Sequence, residues 1–85
     1  MTYEYAPEAL EVLAGHGLCP GPDTRPAAVR EALNDLYRYE IRGLRDRCRA
    51  GEFSTRELPM RVIELRKRYV LLSIPTARWT EPVLP

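Results

Sequence analysis

Few side chains in this sequence could carry out chemistry, and they are scattered. His16 and Cys19 form an H-x-x-C pair inside Gly15-His16-Gly17-Leu18-Cys19-Pro20. A histidine and a cysteine at that spacing can share a metal ion, but a structural zinc site takes four ligands. The chain has one histidine and only one further cysteine, Cys48, so closure would need carboxylates or a second subunit. A Cys-Pro pair also occurs at axial haem positions, yet the dipeptide is too common to stand alone. The expectation is an ordinary loop, with no metal and no cofactor. Two cysteines do not make a disulfide framework. The N-terminus has no basic flank with a hydrophobic stretch, and no apolar run reaches membrane-spanning length. A reducing, cytoplasmic setting without membrane attachment is expected.

Arginine is the abundant reactive type. Residues 38–68 hold ten basic and five acidic side chains, whereas residues 1–37 hold two and six. Arg38, Arg42, Arg45 and Arg49 recur at spacings of four, three and four, which on a helix gathers them on a face about 60° wide. Guanidinium groups bind carboxylate or phosphate through paired hydrogen bonds, and such a ladder can follow a phosphate backbone. Glu31 and Asp35 share nearly the same face, however, and Asp46 stands one turn from Arg42, in pairing range. Mixed charges on a helix exterior commonly form a solvated surface. No recognised nucleic-acid module is present. An acidic protein partner or plain solvation is therefore expected at this face, with nucleic acid as the alternative.

Glu40 falls at the centre of an apolar arc, between Leu36 and Leu44. A carboxylate there needs a partner, and Arg61 or Arg68 on a facing helix could supply it as a register-setting ion pair. Serine–histidine–acid sets, phosphate loops and paired catalytic carboxylates are all absent from the sequence. A non-catalytic protein is expected.

These residues must be positioned by helices. Residues 6–14 read as a short helix with Pro7 in its first turn and Gly15 or Gly17 at its end. A long helix over 25–50 has Thr24 as its N-cap and Gly51 as its terminator. Its residues Val29, Leu33, Leu36, Tyr37, Ile41, Leu44 and Cys48 fall in an arc of about 140°. A second long helix over 55–74 is expected to start at the capping box Ser54-Thr55-Arg56-Glu57, or at Leu58 with Pro59 as its first residue. The connection near Gly51–Ser54 is short, so the two long helices become antiparallel neighbours. Residues 1–74 then form one helical domain and 75–85 an extended, proline-rich tail. The fold expected is an all-α helical hairpin.

Within the second long helix, Leu58, Val62, Leu65, Tyr69 and Leu72 make one apolar stripe. Ile63, Val70 and Ile74 lie within about 40° of each other on a second face, with Met60 and Leu71 beside them. A large apolar side chain left in water forgoes roughly 1.5–3 kcal/mol, so something should cover that face. Its own N-terminal helix is one cover. A second copy, giving a dimeric four-helix bundle, is the one expected here. Trp79, in Ala77-Arg78-Trp79-Thr80-Glu81-Pro82, is either a clasp on the chain's own core or an anchor for a partner.

Leu36-Tyr37-Arg38, followed by Ile41-Arg42 and Leu44-Arg45, resembles the signature of the LYR-motif family. Those are small helical accessory proteins of respiratory-complex assembly and iron–sulfur delivery, often bound to an acyl carrier protein. The resemblance covers residues 36–45 and departs from the family by placing the motif midway along the second helix rather than early in the first. It implies a small helical adaptor. The function expected is that of a non-catalytic accessory protein or small subunit acting through protein–protein contact. Arg38, Arg42, Arg45, Arg49, Ile63, Val70, Ile74 and Trp79 are its expected partner-binding residues.

Overall fold

Proline opens and glycine closes the first two helices. A computed structural model describes residues 2–81 and places α1 at Pro7–Gly15, α2 at Pro26–Arg49 and α3 at Leu58–Arg68. Pro7 and Pro26 are the first residues of α1 and α2, where a missing N–H leaves no helical bond unmade. Gly17 and Gly51 take positive φ, at 79° and 83°. Beyond α1, Gly17 N–H donates to the Ala14 carbonyl and Leu18 N–H to the Leu13 carbonyl, both at 2.9 Å. Beyond α2, Gly51 donates to Cys48 at 3.0 Å and Glu52 to Arg47 at 3.1 Å. Both ends are Schellman motifs, which need a left-handed residue that glycine adopts without a Cβ clash.

Thr24 does not cap α2. The cap residue is Arg25, with no side-chain hydrogen bond. The Thr24 hydroxyl accepts instead from Gly21 N–H at 3.0 Å and closes the preceding loop on itself. Tyr5 O–H ties that loop to the N-terminal segment by donating to the Thr24 carbonyl at 2.5 Å.

The capping box fails too, for a reason visible in the backbone. A helix capped at Ser54 would place Pro59 where an N–H must donate to a carbonyl one turn back, which proline cannot do. The helix begins at Leu58, so Pro59 lies in the first turn, and the Glu57 carboxylate reaches Arg61 at 3.5 Å.

Nor does α3 run to residue 74. It stops at Arg68, Tyr69 adopts φ −109° and ψ 35°, and a 3₁₀ turn follows at Val70–Ser73. Side chains from elsewhere take over the carbonyls released by this change. His16 Nε2 lies 2.6 Å from the Arg68 carbonyl oxygen, an acceptor only, so the ring donates. Arg30 donates to the Leu72 carbonyl at 2.7 Å and the Ile74 carbonyl at 3.1 Å. Trp79 Nε1–H adds a second bond to Ile74, also 3.1 Å.

The tail is not simply extended. Thr76–Arg78 forms a second 3₁₀ turn, and Thr80 makes an isolated antiparallel bridge with Tyr5. Ala6 N–H donates to the Trp79 carbonyl at 2.9 Å and Glu81 N–H to the Glu4 carbonyl at 2.7 Å. Residues 75–81 thus belong to the folded unit, while Pro82 and Pro85 lie outside the described residues.

Trp79, Leu13 and Leu33 have no exposed surface, and Tyr5, Ala9, Val29, Leu65, Tyr69 and Leu71 complete the buried cluster. Leu36, Tyr37, Ile41 and Leu44 pack on it from α2. The molecule measures 56 × 17 × 16 Å, a rod well longer than the about 36 Å of its 24-residue α2. Among the described residues, no helix is long and apolar enough to cross a membrane.

Candidate functional site

Arg38, Arg42, Arg45 and Arg49 all stand exposed along α2. Arg38 lies 3.8 Å from Asp35. The expected Arg42–Asp46 pair is not formed within 4 Å; Arg47, which lies outside the ladder, bonds Glu52 at 2.7 Å across the Gly51 turn. Phe53 is buried beneath two guanidinium groups, Arg61 at 4.1 Å from its ring centre and Arg47 at 6.0 Å. Cations favour the electron-rich face of the ring, so the connection is pinned between the helices by an aromatic ring.

Glu40 finds one of its two expected partners. Its carboxylate lies 3.5 Å from Arg68, and Tyr69 O–H donates to its other oxygen. Arg61 is engaged elsewhere. Glu40 is half-buried rather than sealed in the core. Around it, the Tyr69 ring packs 4.3 Å from His16 and 5.1 Å from Tyr37, and Arg66 donates to the Tyr37 hydroxyl at 3.4 Å. Burial, then the Glu40 hydrogen bond and charge, push the Tyr69 hydroxyl well above its ordinary range, with Arg68 opposing. Tyr69 therefore holds its proton as a donor to Glu40. Among the described residues, every buried side-chain nitrogen and oxygen has a partner. This cluster is tied off: its histidine, tyrosine and carboxylate all serve the fold.

The same holds at the H-x-x-C segment. His16 is committed to α3, Cys19 is a free, exposed thiol, and no group of three metal-ligating side chains gathers among the described residues.

The apolar face of α3 divides in two. Met60, Ile63 and Val70 remain 63%, 49% and 45% exposed. Ile74 does not join them. Because the helix ends early, Ile74 leaves that face and packs half-buried on the core. Trp79 is likewise no anchor; it is fully buried in its own chain and is replaced as a partner-binding residue by this geometry. α1 inserts Ala9 and Leu13 into the core and leaves Ile63 and Val70 uncovered.

Two open grooves flank α3. One, of about 620 Å³, mixes Arg42, Arg47, Arg61 and Arg68 with Glu40, Asp46 and Glu64. The other, of about 480 Å³, lies between Tyr37 and the α3 end, with Ile63, Val70 and Leu72 as its apolar lining and Arg66 and Lys67 as its charges. Arg66 and Lys67 were not singled out in the sequence, although their i+3 and i+4 spacing from Ile63 places them beside it.

Compared with known proteins, the chain matches no family model, no curated protein and no solved structure. Of the Leu36-Tyr37-Arg38 string, the first two residues pack on the core while Arg38 faces solvent.

Proposed function

We propose that this chain is a non-catalytic adaptor whose α2 and α3 form an antiparallel helical hairpin, and that it acts by binding another protein along the outer face of α3. The observation that carries this reading is the exposure of Ile63 and Val70 beside an open trough, in a chain whose core is already filled by Trp79, Leu13 and Leu33. Residues that the core does not need, yet that remain apolar and grouped, mark interaction surfaces. The hairpin reading is supported by contacts in reverse order along the two helices: Tyr37 and Glu40 meet Arg66 and Arg68, while Arg47 and Arg61 meet across Phe53. The test is a photo-crosslinking residue at position 63 in the native cell, with one at Tyr39 on α2 as control. A partner captured only from position 63, and lost with Val70→Asp, supports the adaptor. Equal labelling from both positions overturns it.

A nucleic-acid role is the second reading, favoured by Arg42, Arg45 and Arg49 being exposed with no carboxylate within 4 Å among the described residues. Its signature is an affinity for DNA or RNA that falls by about 0.9 log units per log unit of salt for each phosphate contact.

A further inference from the structure

We infer that the trough beside the end of α3 receives an acidic amphipathic helix of another protein, an inference that rests on the adaptor reading and names its partner. The two grooves differ in how their charges are met. In the larger, Glu40, Asp46 and Glu64 stand among the arginines, and Glu40 neutralises Arg68 directly. The smaller has no carboxylate among its lining residues. Lys67 has no acidic partner within 4 Å among the described residues, and Arg66 reaches only the neutral Tyr37 hydroxyl. Two unneutralised cations therefore border an apolar floor of Ile63, Val70 and Leu72.

A complementary ligand must present apolar groups with anionic groups beside them. From Ile63 to Val70 the floor runs about 10 Å at helical rise, the length covered by about two turns of a docked helix. A partner helix with leucine-like residues at i, i+3, i+4 and i+7 and Asp or Glu at its flanks satisfies both requirements. A second copy placed by a two-fold axis would present this same patch to itself, and that patch has no carboxylate among its lining residues to meet Arg66 and Lys67. The trough is open along its length, whereas a site for a small lipid or acyl ligand encloses most of its guest.

The experiment uses the full chain and two labelled synthetic helices of about 16 residues, long enough to be helical on binding. Both carry leucine at i, i+3, i+4 and i+7; one has glutamate at the flanking positions, the other lysine. By fluorescence anisotropy at low salt, the glutamate helix should bind at least about tenfold more tightly, and the difference should shrink at high salt. Doubly substituted R66E/K67E should reverse the preference, and Ile63→Asp should abolish binding. Both sites are exposed, so melting curves should stay close to that of the parent chain. Equal binding of the two peptides, binding of neither, or sedimentation showing self-association lost in Ile63→Asp would overturn the acidic partner. Charge-blind binding that still requires Ile63 would leave the adaptor reading standing. Binding and crosslinking both indifferent to Ile63 and Val70 would remove the adaptor reading as well.

Discussion

At one end of the rod, α1, the first turns of α2 and the tail surround Trp79, Leu13 and Leu33, none of which has exposed surface. At the other, from Ile41 through Glu57, Phe53 is the one buried residue among those described; it stands outside the main buried cluster, with guanidinium groups over its ring. Charge is divided along the sequence, residues 1–37 summing to −4 and residues 38–68 to +5. The comparison shows two ways of stabilising one helix. The N-terminal half of α2 is held by area removed from water, the dominant favourable contribution to folding. Its C-terminal half adds only the half-buried Ile41 and Leu44 to that cluster and is otherwise held by cation–π contacts at Phe53 and exposed ion pairs worth about 0–1 kcal/mol each. Substitutions should therefore be costly at the first end and cheap at the second.

Trp79→Ala should produce the largest effect, a loss of about 3–5 kcal/mol in chemical denaturation, because it empties the core and removes a donor from the Ile74 carbonyl. The parent fluorescence should be blue-shifted and resistant to iodide, as befits a fully buried indole. A loss below about 1 kcal/mol would erase the contrast between the ends.

Arg30→Leu should come next. It strips both the Leu72 and Ile74 carbonyls of a charged donor, and hydrogen bonds to charged groups contribute about 1.5–3 kcal/mol. Faster amide exchange at Val70–Ile74, preceding global unfolding, would locate the damage in the 3₁₀ turn.

Phe53→Ala sharpens the comparison from the other side. A buried phenylalanine in a full core costs about 3–5 kcal/mol to truncate, but here the expected loss is about 2 kcal/mol or less, because two of its neighbours are cations that can return to water. Hydrogen exchange should accelerate in Leu44–Arg49 and leave Val29–Leu33 unchanged. An effect equal to that of Trp79→Ala would show that the arm is a second core.

Alkaline titration tests the Tyr69–Glu40 contact. The Tyr69 hydroxyl, and by burial and the nearby Tyr3 that of Tyr5, are raised in the folded chain. Above about pH 10 the unfolded tyrosines lose protons that the folded ones keep, so stability present below that pH falls as pH rises. Tyr69→Phe should flatten part of this fall. The smallest effect belongs to the ladder: Arg45→Gln and Arg49→Gln together should change stability by less than about 0.5 kcal/mol each.

The helices themselves were legible, and so was much of the core, since Val29 and Leu33 on α2, Leu65 on α3 and Tyr69 just past its end are buried where their periodicity placed them. Proline at a first turn, glycine just past a last turn and apolar spacing near 3.6 residues are all local rules, satisfied within a few residues of where they are read. The candidate site was only partly legible. Ile63 and Val70 remained on the outer face, but Ile74 and Trp79 moved into the core, and Arg30, His16 and Phe53 acquired structural roles that no spacing announced.

What the sequence could not decide by itself was where α3 ends. Tyr69 through Ile74 contains no glycine or proline, and helix propensities of such residues differ by well under 1 kcal/mol apiece, too little to choose between an α-helix and a 3₁₀ turn. The choice was made by donors 5 to 52 residues away in sequence: Trp79 and Arg30 on the Ile74 carbonyl, Arg30 on Leu72, and His16 on Arg68. Each such bond outweighs the local preference, and none exists until the chain has folded. Local chemistry therefore fixed the helices and their apolar faces, while contacts between distant segments decided which of those faces is left for a partner.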